Sequence, residues 1–296
     1  MRLLLIFNPH AAAGRAIRLL DTIRGELEKY AAVDCKPTER PGHARQIVAE
    51  TDPAGYQGVV AAGGDGTLFE VLNGLYAHDA KSRPPLGVIP VGTGNAFARE
   101  LGLMPGDWEK GVEIIAGRST RKVDVGHVQA ADTEFHFLNI VGVGLPVDAM
   151  LTAKRLKLFG RAAYSVATLL EAMRLRVYPL EISMGGETLV QKTMFVEVSN
   201  TRYTGTSFLI APAAEMHDGL LDLTMVSELS RFRLLRLFPT IYSGRHVEHP
   251  EVIARKVRQI RIEAPAGLVL APDGELCGRT PATISCRTGD LEIFCA

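Results

Sequence analysis

The sequence has few cysteines and no net charge. Four of its 296 residues are cysteines, and none has the Cys-x-x-Cys spacing or the histidine neighbour of a zinc site. We therefore expect reduced thiols in a cytoplasmic protein. The 33 Lys and Arg residues balance the 33 Asp and Glu residues, so no overall positive field attracts nucleic acid, and we expect no nucleic-acid partner.

Long hydrophobic runs and several familiar motifs are also missing. No apolar run reaches the roughly 18 residues of a membrane-spanning helix. Residues 3–7 lead directly into Asn8-Pro9, so we expect a strand there rather than a signal peptide. The chain has no Gly-x-x-x-x-Gly-Lys-Ser/Thr loop, no complete Gly-x-Gly-x-x-Gly and no His-Arg-Asp with Asp-Phe-Gly. These absences argue against P-loop enzymes, dinucleotide-dependent oxidoreductases and protein kinases.

A glycine-rich turn, Gly63-Gly64-Asp65-Gly66-Thr67, is the most informative segment present. It lies between an apolar strand at 58–62 and a segment with helical apolar spacing at 67–76. Glycines let the backbone approach a phosphate, the first N–H groups of the helix point at it, and Asp65 offers an oxygen ligand for Mg²⁺. Thr67 followed by Glu70 is also a capping box, which would explain both residues without a ligand.

A second glycine-rich turn, Gly92-Thr93-Gly94-Asn95, follows the next apolar strand at 85–91 and precedes an apolar helix at 96–101. Thr93 and Asn95 are also common helix caps. Two such turns after successive parallel strands would lie side by side at the carboxyl edge of the sheet, where open α/β sheets bind ligands.

The hydrophobic pattern changes near residue 122. Before it, strands and helices alternate, which predicts an α/β nucleotide-binding domain with a parallel, Rossmann-like sheet. After it, strands dominate, with helices near 160–176 and 230–242, which predicts an antiparallel β-rich sandwich or barrel. We expect two domains, 1–122 and 123–296, with a closing hairpin that can return to the first domain.

Together these motifs resemble the diacylglycerol kinase catalytic family, which includes bacterial lipid kinases, sphingosine kinases and ceramide kinases. NAD kinases and 6-phosphofructokinases share the first glycine turn. The second turn favours the diacylglycerol kinase catalytic family over these relatives. Further matches are Asn8-Pro9, Phe137-Leu138-Asn139 with Gly142 and Gly144, the turn from His217 to Asp222, and Asp273-Gly274-Glu275. The resemblance spans essentially the whole chain.

The resemblance implies an ATP-dependent lipid kinase that uses Mg²⁺. The nucleotide is then expected at a set of residues in the first domain: Asn8, Thr38, Gly63, Gly64, Asp65, Gly66, Thr67, Glu70, Thr93, Gly94 and Asn95. The loop after Asn8 departs from the family, because His10-Ala11-Ala12-Ala13-Gly14-Arg15 replaces residues that are usually Ser and Gly. Backbone groups or Arg15 would have to supply the missing hydroxyl contacts to phosphate.

Two acidic turns in the second half also gain a role from the resemblance. It implies a Mg²⁺ held by the Asp218 carboxylate and the carbonyl groups of Glu215 and Leu220, whereas the local sequence favours a plain turn into a strand. It also implies that Glu275 accepts the proton of the lipid hydroxyl while Asp273 orients it or acts as a second acceptor. Locally, Asp273-Gly274 reads as a β-turn.

The acceptor and the partners are less defined by the sequence. Diacylglycerol, a sphingoid base, ceramide, monoacylglycerol and phosphatidylglycerol all present a hydroxyl beside long chains. The segments Arg231–Phe238 and Lys154–Phe159 mix cations with large apolar residues, which predicts reversible contact with the inner membrane surface, although packed helices give the same pattern. The resemblance also implies a homodimer as one arrangement. An NAD-kinase-like or other small-molecule kinase and a non-catalytic nucleotide- or lipid-binding regulator stay open as alternatives.

Overall fold

The computed structural model describes residues 1–156, 163–174, 176–205 and 207–296. The chain forms two compact units, Met1–Val123 together with Gly289–Ala296, and Asp124–Thr288. It leaves the first unit within the strand Thr120–Ala130 and returns to it within the strand Ala282–Phe294.

The first unit is an α/β structure built on a parallel sheet. Its elements are, in order, β1 (Arg2–Phe7), α1 (Leu20–Glu28), β2 (Ala32–Pro37), α2 (His43–Glu50), β3 (Gly58–Gly63), α3 (Asp65–Leu75), β4 (Leu86–Pro90), α4 (Ala96–Glu100) and α5 (Trp108–Gly117). The strand order is β2-β1-β3-β4, all parallel. Every residue of β3 and β4 is buried, as expected of central strands covered on both faces. The end of the chain adds a further parallel strand, since Ile293 pairs with Leu86.

The core of this unit forms where α1 and α5 pack on the sheet. Ile23 and Leu27 of α1 and Val112 and Ile115 of α5 are buried against the apolar side chains of β1 and its neighbours. Each such side chain contributes about 1.5–3 kcal/mol of transfer free energy. This packing fixes the strands whose carboxyl ends carry the glycine turns.

The second unit is rich in antiparallel strands. Its elements are β5 (Thr120–Ala130), β6 (Glu134–Phe137), β7 (Ile140–Gly144), α6 (Leu145–Arg155), α7 (Ala163–Arg174), β8 (Tyr178–Met184), β9 (Glu187–Ser199), β10 (Tyr203–Thr204), β11 (Phe208–Leu209), β12 (Leu221–Ser227), α8 (Arg231–Leu237), β13 (Val252–Val257), β14 (Gln259–Ala264), β15 (Leu270–Pro272) and β16 (Ala282–Phe294). Short 3-10 helices, Phe238–Ser243 and Arg245–Glu248, follow α8.

β9 organises this unit because it pairs with three strands. β8 and β12 lie on either side of it, β13 pairs with β12, and β14 joins β8 to β16. The second half of β9 also pairs with β7, which in turn pairs with β15. All these pairings are antiparallel, so the α/β and antiparallel β-rich classes expected from the sequence are confirmed.

Several local expectations differ from the structure. The closing segment is one strand, β16, rather than a hairpin. The helix α6 was not expected, although Pro146 in its first turn is a common helix start. The helix expected at 160–176 is described only as α7, Ala163–Arg174, because residues 157–162 and 175 lie outside the described ranges.

Candidate active site

The two glycine-rich turns of the first unit lie in direct backbone contact. β3 and β4 are parallel neighbours, so the turns that follow them leave the same edge of the sheet. A Cβ atom on Gly92 would lie 2.4 Å from the Cα of Gly64, and one on Gly63 would lie 2.3 Å from Thr67 Oγ1. Only glycine leaves room for these contacts, and the bare backbone that results is suited to a phosphate group.

Asp65 is the first helical residue of α3 and turns its carboxylate toward the start of α4. The Phe97 N–H donates to Asp65 Oδ1 over 3.4 Å, and a Cβ atom on Gly94 would lie 3.0 Å from Oδ2. Burial raises the pKa of Asp65, and the backbone N–H groups of Ala96, Phe97 and Asn95 oppose that rise. The carboxylate thus lies beside a glycine cradle, which fits a Mg²⁺–nucleotide complex.

Asn95 fastens the second turn to the first. Its backbone is left-handed, with φ 54°, and its Nδ2 donates to the Gly63 carbonyl over 2.9 Å. It is buried, whereas Thr93 is exposed and Gly66 is half-buried. Asn95 therefore shapes the site, and Thr93 presents its hydroxyl at the surface.

Asn8 and Thr38 lie at the same edge of the sheet. The Asn8 N–H donates to the Ala62 carbonyl over 2.9 Å, and the Thr38 N–H donates to the Phe7 carbonyl over 2.8 Å. Thr38 is buried, with 7 % of its surface exposed. The ends of β1, β2 and β3 therefore bring both predicted nucleotide residues toward the glycine turns of the same unit.

The loop after Asn8 has an unusual backbone for its composition. Ala12, Ala13 and Gly14 all have positive φ angles, 51°, 60° and 81°. The Gly14 N–H donates to the His10 carbonyl over 3.1 Å, and Arg15 Nε donates to the Ala12 carbonyl over 3.0 Å. Alanine pays a steric cost in this region, so hydrogen bonds within the loop hold it in shape.

Glu70 has a clear role within the protein. Its Oε1 accepts the Gly42 N–H over 2.7 Å and its Oε2 accepts the Ala44 N–H over 3.0 Å, so it caps the N-terminus of α2. The helix α3 begins at Asp65 with Gly64 as its N-cap, so the alternative capping box of Thr67 with Glu70 is wrong. Contact between Glu70 and a nucleotide stays a prediction.

In the second unit, Asp273 is a buried residue at the turn after β15. Its φ is 45°, and its carboxylate accepts the N–H groups of Leu138 (2.8 Å), Asn139 (2.9 Å) and Ile140 (3.0 Å). It therefore holds the turn between β6 and β7. Glu275, two residues later, is exposed, and its N–H closes the turn by donating to the Pro272 carbonyl over 2.7 Å.

The predicted metal turn contains a cation from the protein itself. Lys256 Nζ lies 2.5 Å from Asp218 Oδ2 and 3.7 Å from Asp222 Oδ2. Burial raises the pKa of Asp222 to about 6, and Lys256 opposes the rise. Within the described ranges no group of three or more His, Cys, Asp or Glu residues is placed to hold a metal ion. A Mg²⁺ bound by Asp218 and the carbonyl groups of Glu215 and Leu220 would have to displace the ammonium group.

One feature of the second unit was not expected from the sequence. A narrow apolar cavity lies between β9, β12 and the helices α6, α7 and α8, and the Glu197 and His246 side chains line it. The only sequence signal is a glutamate set between valines in an otherwise apolar strand, Phe195-Val196-Glu197-Val198.

The fold defines a protein class, namely an α/β unit with two glycine-rich turns followed by an antiparallel β unit. Comparison with known proteins makes this specific. The diacylglycerol kinase catalytic domain matches residues 2–128, and the YegS C-terminal NAD kinase beta sandwich-like domain matches residues 139–295.

Individual relatives agree with these matches. The chain is 36% identical to a diacylglycerol kinase of Mycobacterium tuberculosis over 85% of this chain and 81% of the relative. It is 29% identical to a diacylglycerol kinase of Bacillus subtilis over 94% of this chain and 90% of the relative. A crystal structure of a candidate diacylglycerol kinase from Bacillus anthracis superposes with a TM-score of 0.84 at 26% identity, covering 100% of this chain and 95% of that one.

The chain therefore belongs to the diacylglycerol kinase family, and it is a phosphotransferase. Membership of a kinase family implies ATP as the phosphoryl donor. In the part of the chain that the structure describes, no helix has both the length and the apolar character to cross a bilayer.

Proposed function

We propose that the protein transfers the γ-phosphate of Mg²⁺–ATP to the hydroxyl of a lipid alcohol such as diacylglycerol. The observation that carries this proposal is the position of the Asp65 carboxylate, which lies beside Gly94 where the two glycine turns meet. Mg²⁺ bound to the nucleotide phosphates would offset the charge of the transferred group. The residues of this chain bind and orient the reactants.

In the nucleotide site, the phosphates would lie against the glycine turns and the first turn of α3. The N–H groups there are not blocked by side chains at Gly64 and Gly66, and the Thr67 and Thr93 hydroxyls can donate to phosphate oxygens. Asp65 is the residue we assign to Mg²⁺, directly or through water. Asn8 positions the Thr67 hydroxyl through a hydrogen bond from its side-chain amide, and Asn95 holds the two turns together through its bond to the Gly63 carbonyl.

For the acceptor, we assign Glu275 as the group that takes the proton of the lipid hydroxyl. A carboxylate is a weak base, but the transition state of phosphoryl transfer is loose, so position matters more than basicity. The turn that carries Glu275 is well fixed, because Asp273 accepts three backbone N–H groups and tolerates a left-handed backbone. In this proposal Asp273 positions Glu275.

For the lipid chains, the apolar cavity of the second unit is the suitable feature. Buried residues of α8, Leu234 and Leu237, line it together with residues of α7 and β9. Cavities that bind apolar ligands are usually apolar with a few polar groups, as here.

Reversible membrane contact would use the exposed faces of α6, α7, α8 and the 3-10 helix that follows α8. Several large apolar side chains there are exposed: Leu151, Leu169, Leu170, Met173, Phe232, Leu235 and Tyr242. On α8, Arg236 lies 5.2 Å from the Phe232 ring, while Arg233 pairs with Glu251. This mixture of cations and apolar groups suits an anionic interface. The other predicted segment, Lys154–Phe159, lies largely outside the described residues.

A lipid panel with labelled ATP tests the proposal. The purified protein is incubated with Mg²⁺–ATP and, separately, diacylglycerol, a sphingoid base, ceramide, monoacylglycerol or phosphatidylglycerol, with NAD⁺ as a further acceptor. We expect a phosphorylated lipid, identified by mass spectrometry. Phosphorylation of NAD⁺ alone would favour the small-molecule kinase, and lipid binding without turnover would favour the regulator.

A further inference from the structure

Glu197 is a buried carboxyl group with no hydrogen bond to either oxygen. It lies on β9 between Val196 and Val198, has 1 % of its surface exposed, and lines the apolar cavity of the second unit. Buried polar groups are nearly always hydrogen-bonded, and an unsatisfied one costs about 1–3 kcal/mol. The position therefore calls for a partner that the protein does not supply.

The rest of the cavity wall excludes an ion pair as the explanation. His246 is the other titratable group among the described residues that line it. Burial lowers the pKa of His246, its Nε2 lies 2.9 Å from the Ile210 carbonyl oxygen, and its Nδ1 has no partner. No lysine or arginine is present among those lining residues.

The surroundings also fix the protonation state of Glu197. Burial raises its pKa to about 8, and the nearby Thr204 hydroxyl, which lies outside hydrogen-bonding geometry, opposes the rise only in part. Below that pH the group is a neutral carboxylic acid, which carries one O–H donor and a carbonyl acceptor. An O–H donor that faces an apolar cavity is complementary to an uncharged acceptor on an apolar ligand.

We propose that the Glu197 carboxyl group donates a hydrogen bond to an ester carbonyl of the bound lipid, and so makes the enzyme selective for acyl-ester lipids. This inference rests on the proposed function, since it assumes a lipid acceptor. An ester carbonyl brings an acceptor into the cavity without a charge. A sphingoid base would bring an ammonium group, and an ion pair formed there would lose the hydration of both partners.

Two lipids that differ only at the carbonyl groups test the proposal. Dioleoylglycerol has ester carbonyls, and the matching dioleyl glycerol diether has the same hydroxyl and chains without them. Binding of both is measured by displacement of a fluorescent dioleoylglycerol analogue from the full-length protein in detergent micelles. The kcat/KM of each lipid is measured in parallel. The variants are Glu197→Gln, Glu197→Met and Glu197→Leu, with the exposed Glu228→Gln as the control.

The wild type should bind the ester roughly 10-fold better than the ether, the value of one buried hydrogen bond. Glu197→Gln keeps an N–H donor and should retain most of this preference. Glu197→Met and Glu197→Leu remove the donor and should reduce the ester/ether ratio to about 1. Two apolar variants are made so that the better folded of them can be used for the comparison. Glu228→Gln should leave the ratio unchanged.

The outcomes separate this inference from the proposed function. A Glu197→Met protein whose ester/ether ratio equals that of the wild type would overturn the inference even if lipid phosphorylation is observed. That result would mean that Glu197 bonds to buried water only. If the wild type prefers the ester and Glu197→Met loses that preference, the inference about Glu197 is supported even when no lipid is phosphorylated. In that case only the proposed function would be wrong.

Discussion

The Asn8 side chain donates a hydrogen bond from Nδ2 to the Thr67 hydroxyl, 2.9 Å away, and thereby joins the end of β1 to the first turn of α3. Its Oδ1 accepts the His10 N–H over 2.9 Å. Because the Thr67 oxygen acts as an acceptor here, its own hydrogen stays available to donate. The asparagine therefore orients the hydroxyl that the proposed nucleotide site would use.

Asp65→Asn should lower kcat at saturating Mg²⁺–ATP by roughly 10²–10³-fold, the usual effect of removing one electrostatic group from an active site. Asparagine keeps an oxygen that can accept the Phe97 N–H, so the variant should stay folded. Steady-state turnover and thermal unfolding check both points, with the exposed Asp21→Asn as the matched control. Equal turnover of Asp65→Asn and the wild type would remove Asp65 from the mechanism.

Glu275→Gln should lower kcat by roughly 10²–10⁴-fold, because it removes the proton acceptor while keeping size and hydrogen bonding. The KM for ATP and the free energy of unfolding should change little, since Glu275 is exposed. Kinetics with the best lipid of the panel measure this effect. A kcat near that of the wild type would show that another group accepts the proton.

Asp273→Asn should instead act mainly on stability. An asparagine oxygen can replace part of the carboxylate, but its NH₂ group would face the N–H donors of residues 138–140. We expect a loss of about 2–4 kcal/mol in the free energy of unfolding, because buried donors lose their acceptor. Urea unfolding of Asp273→Asn and Glu275→Gln side by side gives the contrast. Equal stability of the two variants would contradict the positioning role.

Lys256→Met should make the Asp218 turn responsive to divalent cations. It removes the ammonium 2.5 Å from Asp218 and leaves Asp218 and Asp222 without a counter-charge. Added Mg²⁺ should then raise the Tm of Lys256→Met more than that of the wild type. The exposed Lys192→Met serves as the control. If Mg²⁺ shifts the wild type and Lys256→Met equally, Lys256 does not compete with a metal.

Glu197 should make the stability of the protein depend on pH. The folded protein holds the carboxyl group neutral up to a pKa of about 8, against 4.5 as the reference value. Stability should therefore be fully present below about pH 4.5 and fall as pH rises toward 8, by up to about 1.4 kcal/mol per pH unit. Glu197→Gln should lack this slope, so its Tm advantage over the wild type should grow from pH 5 to pH 8. A constant difference across that range would contradict the neutral state. Glu228→Gln provides the exposed control.

The sequence predicted those features that depend on local periodicity. The alternation of the first unit and the two glycine turns follow from apolar spacing and glycine positions within short windows. The resemblance to the family added Asp273 and Glu275, which local sequence reads as a plain turn. The fold class of each unit could be predicted without knowing any contact between distant residues.

The sequence could not predict contacts between residues that are distant along the chain. The acceptors of the Gly42 and Ala44 N–H groups lie on Glu70, 26–28 residues away, and the donors to Asp273 lie 133–135 residues away. Lys256 meets Asp222 only because β12 and β13 pair in that register. Glu197 is enclosed because helices cover one face of β9 while other strands flank it. None of these contacts leaves a periodic signal.

The close approach of Gly92 to Gly64 also limits what the presence of glycine at these turns indicates about function. Because Gly63 and Gly92 are required by the packing of the protein on itself, a chain of this fold that had lost its chemistry would still need both to fold. The glycines are therefore evidence for the fold and not for catalytic activity. Evidence for a working enzyme in any such chain has to come from the carboxylates, Asp65 and Glu275 here, whose replacement would leave the backbone intact.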